Sequence, residues 1–244
     1  MSSGLMQNPA ADKQRLSATA VLASLPFWAS VLVVMPVFVQ APWVRQQPLS
    51  ACLFGLVLTL AGILWSLKAD RSEQGDFGAL VLGFSGSWMA GSLFWGWLPA
   101  HPVLHVPVEA FALPLALAGL TTRWRCACAF YLASLIGTAF TDLSMALSGV
   151  MPLWPEVVTA TADQAPDLLR AAAAQVLTPK SLLVVIVAAA LITRLVAVCR
   201  SRADRLGDNS SAWSIASSVL FTTLVIDAVF LGVSLLAPSL SGLI

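Results

Sequence analysis

Seven apolar stretches divide this chain, at residues 21–41, 49–67, 77–98, 103–121, 126–148, 180–199 and 214–237. A helix needs roughly 20 apolar residues to cross the hydrocarbon core of a bilayer. In that medium every backbone N–H and C=O must find its partner within the protein, which helices do internally. The expected fold class is therefore all-α, a polytopic membrane helix bundle of about seven transmembrane helices. Only 10% of the 244 residues are charged, against about 25% in soluble domains. So few charges cannot cover a water-facing surface. The lipid bilayer is the first partner the sequence names. The net charge of +1 and the absence of a Lys/Arg-rich run give nucleic acid nothing to bind.

The basic residues set an orientation. With seven spans, ten of the 13 fall on the side of the N-terminus: Lys13, Arg15, Lys68, Arg71, Arg123, Arg125, Arg194, Arg200, Arg202 and Arg205. Arg45, Arg170 and Lys180 fall on the other. The positive-inside rule then places the N-terminus in the cytoplasm. Residues 1–16 are polar and are expected to form a disordered cytoplasmic segment. Residues 17–244 are expected to form one transmembrane domain, whose first span is retained because no small-x-small cleavage site follows a short apolar core. The longest connection, 149–179, is non-cytoplasmic and contains DLLRAAAAQVL, good helix-forming sequence. It reads as a surface helix, serving either as a partner-binding loop or as a spacer.

Small residues mark the packing faces. Gly83, Ser87 and Gly91 recur at four-residue spacing, as do Ala129, Ala133 and Gly137. Such stripes let helix backbones approach closely. Cys52, Cys126, Cys128 and Cys199 lie in or at the ends of apolar segments and read as small core residues. Cys126 and Cys128 are two apart and face nearly opposite ways on a helix. Two histidines and these cysteines form no evident zinc pattern, so no metal ligands are assigned.

The stretch HVPVEAFALP, residues 105–114, departs from the apolar pattern. Glu109, Asp142 and Asp227 are the carboxylates expected inside spans. Intramembrane ionisable groups are costly and usually face the bundle interior or a cavity. His105 and Glu109 occupy the first turns of the fourth span. Asp142 lies roughly 9 Å below the same, non-cytoplasmic surface at a rise of about 1.5 Å per residue, and Asp227 lies deeper. Ser134, Thr138 and Asp142 form a polar stripe. The first connection adds Gln40, Trp43, Arg45, Gln46 and Gln47, and the turn before the fourth span adds Trp95, Trp97 and His101. Arg45 beside Glu109 or Asp142 would favour their charged forms. The expectation is a polar, outward-facing pocket with His105, Glu109, Asp142, Arg45 and Asp227 as ligand-binding residues. No catalytic residue is assigned.

Two readings of Glu109 stay open. Pro107 suits the first turn of a helix, which would place Glu109 at that helix's positive end, with Pro114 kinking the span. Alternatively, the His–Glu pair relays protons, holds a cation, or acts as acid and base on a lipid-phase substrate. His105 as an axial ligand to a haem or chlorophyll has only a lone histidine behind it. The tryptophans read either as an interfacial belt or as a ligand-stacking surface.

PFWASVLVVMPVFVQAPWVR, HVPVEAFALP and GTAFTDL together resemble an uncharacterised family of polytopic membrane proteins from cyanobacteria, over about residues 24–200. That resemblance implies a photosynthetic host and a thylakoid or plasma membrane, and it brings no assigned activity or cofactor. WGWLPAHPVLHVPVEAFALPLALAGL is similar to the Pro-x-Glu segment of membrane-embedded lycopene cyclases, with Pro107 and Glu109 at the matching positions. Here Glu109-Ala110 stands where that family has Glu-Glu, and WPEVV is a poor second copy.

Two functions are therefore carried forward. One is binding or translocation of a small ligand through the pocket, or assistance to a membrane complex. The other is an intramembrane enzyme acting on an isoprenoid or carotenoid-type substrate. No P-loop is present, so any transport is secondary or partner-driven.

Overall fold

The computed structural model describes residues 24–69, 73–161, 163–207 and 210–236. The expected cytoplasmic segment 1–16, the start of the first apolar stretch, Arg71 and the end of the last stretch lie outside the described residues. Every regular element among those described is helical. Seven are long and apolar enough to cross a membrane: Leu25–Gln46, Pro48–Lys68, Gly75–Trp97, Pro102–Gly119, Arg125–Leu147, Pro179–Leu206 and Ser211–Leu236. They are called the first to seventh spans.

The third and fifth spans are the central ones. About 61% and 50% of their apolar windows are buried, against 6–22% for the other five. Phe84 and Trp88 of the third, Cys126 and Phe130 of the fifth, Ile192 of the sixth, and Ile215 and Val219 of the seventh make the main core. Trp88 joins Trp43, Phe54 and Phe84 by edge and tilted ring contacts of 5.2–5.9 Å. A second, smaller core holds the fourth span to the flank of the fifth through Ala116, Cys128, Tyr131 and Leu135. Cys126 and Cys128 thus enter different cores, as their spacing on a helix requires, and the four cysteines are free thiols. Leu53, Leu56, Val57, Leu60 and Leu64 on the second span stay exposed, as a lipid-facing surface should.

Close backbone approach fixes the central contacts. A Cβ on Gly83 would strike the Ala127 backbone carbonyl, and one on Gly137 would come within 2.9 Å of Thr223 Cγ2. The second and third spans also approach closely, and a Cβ on Gly62 would sit 2.7 Å from the Leu82 nitrogen. Thr59 and Ser85 hydrogen-bond across the same seam at 2.9 Å.

The first span is longer than its apolar stretch. Pro42 has no N–H to offer the carbonyl four residues back. The helix widens at this point into a π turn, Pro36–Gln40, whose last bond runs from the Ala41 N–H to the Pro36 carbonyl. Helix resumes at Ala41–Gln46. Gln40 is thereby turned inward and is 1% exposed. Its amide donates to the Trp88 carbonyl and to Ser92 Oγ. Trp43 donates to Ser50 Oγ at 2.7 Å. Gln40 and Trp43 therefore tie the first three spans together rather than lining the outward face.

The fifth span ends at Gly149, whose φ of +75° suits a residue without a Cβ. Bonds from Val150 N–H to the Met145 carbonyl and from Gly149 N–H to the Ala146 carbonyl close the end. The Ser148 carbonyl then accepts from Gln175 and Ser181, both at 3.0 Å. This clasps the long connection, with its helices Trp154–Thr159 and Ala165–Val176, onto the end of the bundle. DLLRAAAAQVL is helical through Val176, buries Ala173 and packs against the seventh span.

Candidate functional site

The fourth span is broken, and its break builds the site. A 3-10 turn, Pro102–Leu104, leads into a short helix, His105–Glu109; a second 3-10 turn, Ala110–Ala112, leads into Leu113–Gly119. Pro114 cannot donate to the Ala110 carbonyl, and the Leu113 N–H turns to Ala110 instead. In the 3-10 turn the Ala112 N–H and the Glu109 carbonyl face each other, in place of α-helical bonds to Val108 and Leu113. The Tyr131 hydroxyl takes both: it donates to the Glu109 carbonyl and accepts from the Ala112 N–H at 3.1 Å. Phe111 packs edge-on to the Tyr131 ring at 6.3 Å.

The helix begins at His105, two residues before Pro107. Glu109 therefore closes that helix instead of sitting in its first turn. It precedes the second 3-10 turn without making a side-chain capping bond there. The helix-capping reading of Glu109 is corrected by this geometry.

His105 lies between two carboxyl groups. Its Nε2 is 3.4 Å from Glu109 Oε1, and its Nδ1 is 3.1 and 3.2 Å from the two oxygens of Asp142. The four-residue spacing of His105 and Glu109 puts both on one helix face, and Asp142 comes from the facing fifth span. All three side chains are only 13–16% exposed. Phe94, fully buried, stacks on the imidazole with centroids 4.2 Å apart. Trp95 meets the ring edge-on at 6.0 Å and is followed by Trp154 at 5.4 Å. Trp154 in turn donates to the Pro99 carbonyl at 2.7 Å, so the long connection roofs the site.

A neutral imidazole carries one ring hydrogen, enough for the bond between His105 Nδ1 and Asp142, while Glu109 lies against Nε2 at ion-pair distance, 3.4 Å. With the imidazole protonated, the triad would carry one exchangeable proton and a net charge of −1. The triad can hold a proton, pass it between two helices, or receive a cation. Among the described residues no group of three or more His, Cys, Asp and Glu side chains is arranged to hold a metal ion.

Asp227 and Arg45 take other places. Asp227 Oδ2 accepts from Thr141 Oγ1 at 2.6 Å. Thr141 is the chain neighbour of Asp142, so Asp227 is level with the triad rather than deeper. Arg45 is exposed in the last turn of the first span. Among the described residues it forms no ion pair with Glu109 or Asp142. The first span continues as helix through Gln46, which carries Arg45 to the far side of Trp95. There it lines a cleft of about 330 Å³ with Val44, Pro48, Gly96, Pro99 and Val158. Trp95 is the wall shared by cleft and triad.

Tyr131 and Phe94 escaped the sequence reading. Tyr131 had a signal, being the one tyrosine of the chain, placed in an apolar span where a hydroxyl must find a partner. Phe94 had none, since one more phenylalanine in a span is unremarked.

No curated protein and no solved structure matches the chain. Residues 29–235 match the model of a family described as a protein of unknown function, DUF3120. That match reaches into all seven spans and contains the whole triad, and the chain belongs to the DUF3120 family.

Proposed function

We propose that the chain binds a small cationic ligand at the His105–Glu109–Asp142 triad and exchanges it for the triad's proton. The observation that carries this reading is the imidazole held between two carboxyl groups from different spans. Two carboxyl groups beside one imidazole favour a cation. The rings of Trp95 and Trp154 beside the triad suit an ammonium-type ligand, which binds over ring faces. The broken fourth span adds a further argument, because irregular backbone at membrane depth commonly lines a site or cavity. Asp227, level with the triad, adds a secondary contact for the cation, and Arg45 lines the cleft on the other side of Trp95. The ten-to-three distribution of basic residues supports an opening on the non-cytoplasmic side. The cyanobacterial resemblance supports a thylakoid or plasma membrane.

Vesicles reconstituted with the protein and loaded with a pH-sensitive dye test the exchange. An external pulse of tetramethylammonium is expected to raise the internal pH, with the response lost in His105→Gln and Asp142→Asn. Equal responses in protein-free vesicles, or in wild type and both variants, would overturn it. Comigration with a larger complex without any cation response would replace it with an assembly role.

Acid–base chemistry on an isoprenoid is the second reading. It is favoured by the aromatic roof over the imidazole, which would accept a conjugated chain. An isoprenoid or pigment copurifying with wild type and absent from Glu109→Gln would support it over cation exchange.

A further inference from the structure

The sixth span carries guanidinium groups on the face turned away from the bundle. Its buried stripe is Ile192, Val196, Cys199 and Ala203. Arg194, Arg202 and Arg205 lie on the opposite, exposed side. With Ala197, Val198 and Ser201 they line a groove of about 370 Å³. Arg200 is not part of it, since its guanidinium lies 6.0 Å over the Phe221 ring of the seventh span. Asp204 is exposed at the groove's edge. Among the described residues no carboxylate lies within 4.0 Å of Arg194, Arg202 or Arg205.

Depth selects the occupant. Arg194 lies roughly 18 Å along the helix axis from Leu206 at 1.5 Å per residue. Its flexible stem can carry the charge back toward the interface, where Arg202 and Arg205 stand. Leu191 and Leu195, both exposed, border the deep end of the same face. A ligand filling this groove needs an anionic head at the interface and an apolar body running into the bilayer. A second copy of the chain offers no complement: the intramembrane carboxylates Glu109, Asp142 and Asp227 already have partners within the bundle.

We propose that Arg194, Arg202 and Arg205 bind the phosphate headgroup of an anionic glycerophospholipid, whose acyl chain lies along Leu191 and Leu195. Guanidinium groups suit this ligand because each can hold two phosphate oxygens. Positively charged clusters at a membrane surface attract anionic lipid. The small side chains of Ala197 and Ser201 leave the headgroup room between the arginines.

Native mass spectrometry of the full chain released from detergent micelles tests this. Dioleoyl phosphatidylglycerol, dioleoyl phosphatidylcholine and inorganic phosphate are titrated separately. Phosphatidylglycerol is expected to bind at least tenfold more tightly than phosphatidylcholine. The double variant Arg202→Gln/Arg205→Gln is expected to lose roughly tenfold of that affinity. Arg202→Lys/Arg205→Lys keeps the charge and retains most of it. Arg170→Gln/Lys180→Gln, at the opposite end, leaves it unchanged. Equal binding of the two lipids, or equal binding by wild type and the glutamine variant, would overturn the proposal. Displacement of phosphatidylglycerol by millimolar inorganic phosphate would also overturn it, in favour of a soluble-anion site. The outward position of these side chains keeps the variants folded, which helical circular dichroism verifies.

Discussion

Tyr131 of the fifth span holds Glu109 of the fourth by its backbone, not by its carboxylate. The hydroxyl accepts the Ala112 N–H and donates to the Glu109 carbonyl, so one side chain braces both ends of the 3-10 turn where the fourth span breaks. The Glu109 carboxylate is left to reach back to His105. Removing the hydroxyl in Tyr131→Phe leaves both backbone groups with only the bond they make across the 3-10 turn. Unmade bonds of this kind cost about 1–3 kcal/mol. Equilibrium unfolding in detergent is expected to show a loss in that range, together with faster cysteine labelling at substituted positions 110–112. Unchanged stability would mean that the break is satisfied in another way.

The triad is expected to behave as one unit. His105→Ala leaves Glu109 and Asp142 without their common partner and is expected to destabilise the protein by about 2 kcal/mol. Asp142→Asn removes part of the same network. A double-mutant cycle between the two is expected to give a coupling of about 1 kcal/mol or more. Additive losses would show that the imidazole and the carboxylate do not act on one another.

Thr141 and Asp227 test the level of the seventh span. Thr141→Val removes the donor to Asp227 Oδ2 while keeping the shape of the side chain. A loss of about 1 kcal/mol is expected from membrane hydrogen-bond energetics. Thr138→Val, one turn away on the same helix, serves as the comparison and is expected to cost less. Equal effects would place Asp227 elsewhere.

Backbone approach in the core can be tested with a matched pair of glycines. In Gly83→Ala the new methyl meets the Ala127 carbonyl, whereas Gly232→Ala meets nothing within 4 Å. Overpacking typically costs about 1–3 kcal/mol. The first substitution is expected to fall in that range and the second to be neutral or slightly stabilising, as thermal unfolding in detergent would show. Equal effects would contradict the direct contact of the third and fifth spans.

The spans were legible because each is a run of apolar residues long enough to cross a bilayer. The last six begin and end within a few residues of their apolar stretches, except that the sixth continues through Arg200, Arg202 and Arg205 to Leu206. Charges at a helix end leave the hydrocarbon without unwinding the helix, so hydropathy stops short of the helical boundary. The first span misled in the same direction. QAPWVRQQP reads as a polar loop, yet the π turn before Pro42 keeps it helical and buries Gln40 against Trp88. A buried amide is invisible to hydropathy because its cost is offset by hydrogen bonds made three-dimensionally. Of the site, His105, Glu109 and Asp142 were legible as costly residues on one leaflet. Their meeting on a single imidazole was not, because it depends on where Tyr131 holds the broken fourth span. Arg45 was placed by leaflet alone, and leaflet does not tell which side of Trp95 a residue occupies.

The most direct measurement is solid-state ¹⁵N NMR of histidine-labelled protein in lipid bilayers. The chain has two histidines, and His101 is exposed, so His101→Asn identifies the signals of His105. With His105 between two carboxyls, both ring nitrogens are expected to report hydrogen bonds. Glu109→Gln is expected to shift the Nε2 resonance and Asp142→Asn the Nδ1 resonance. A His105 spectrum matching that of solvent-exposed His101, and indifferent to both substitutions, would contradict the shared-proton triad on which the proposed exchange rests.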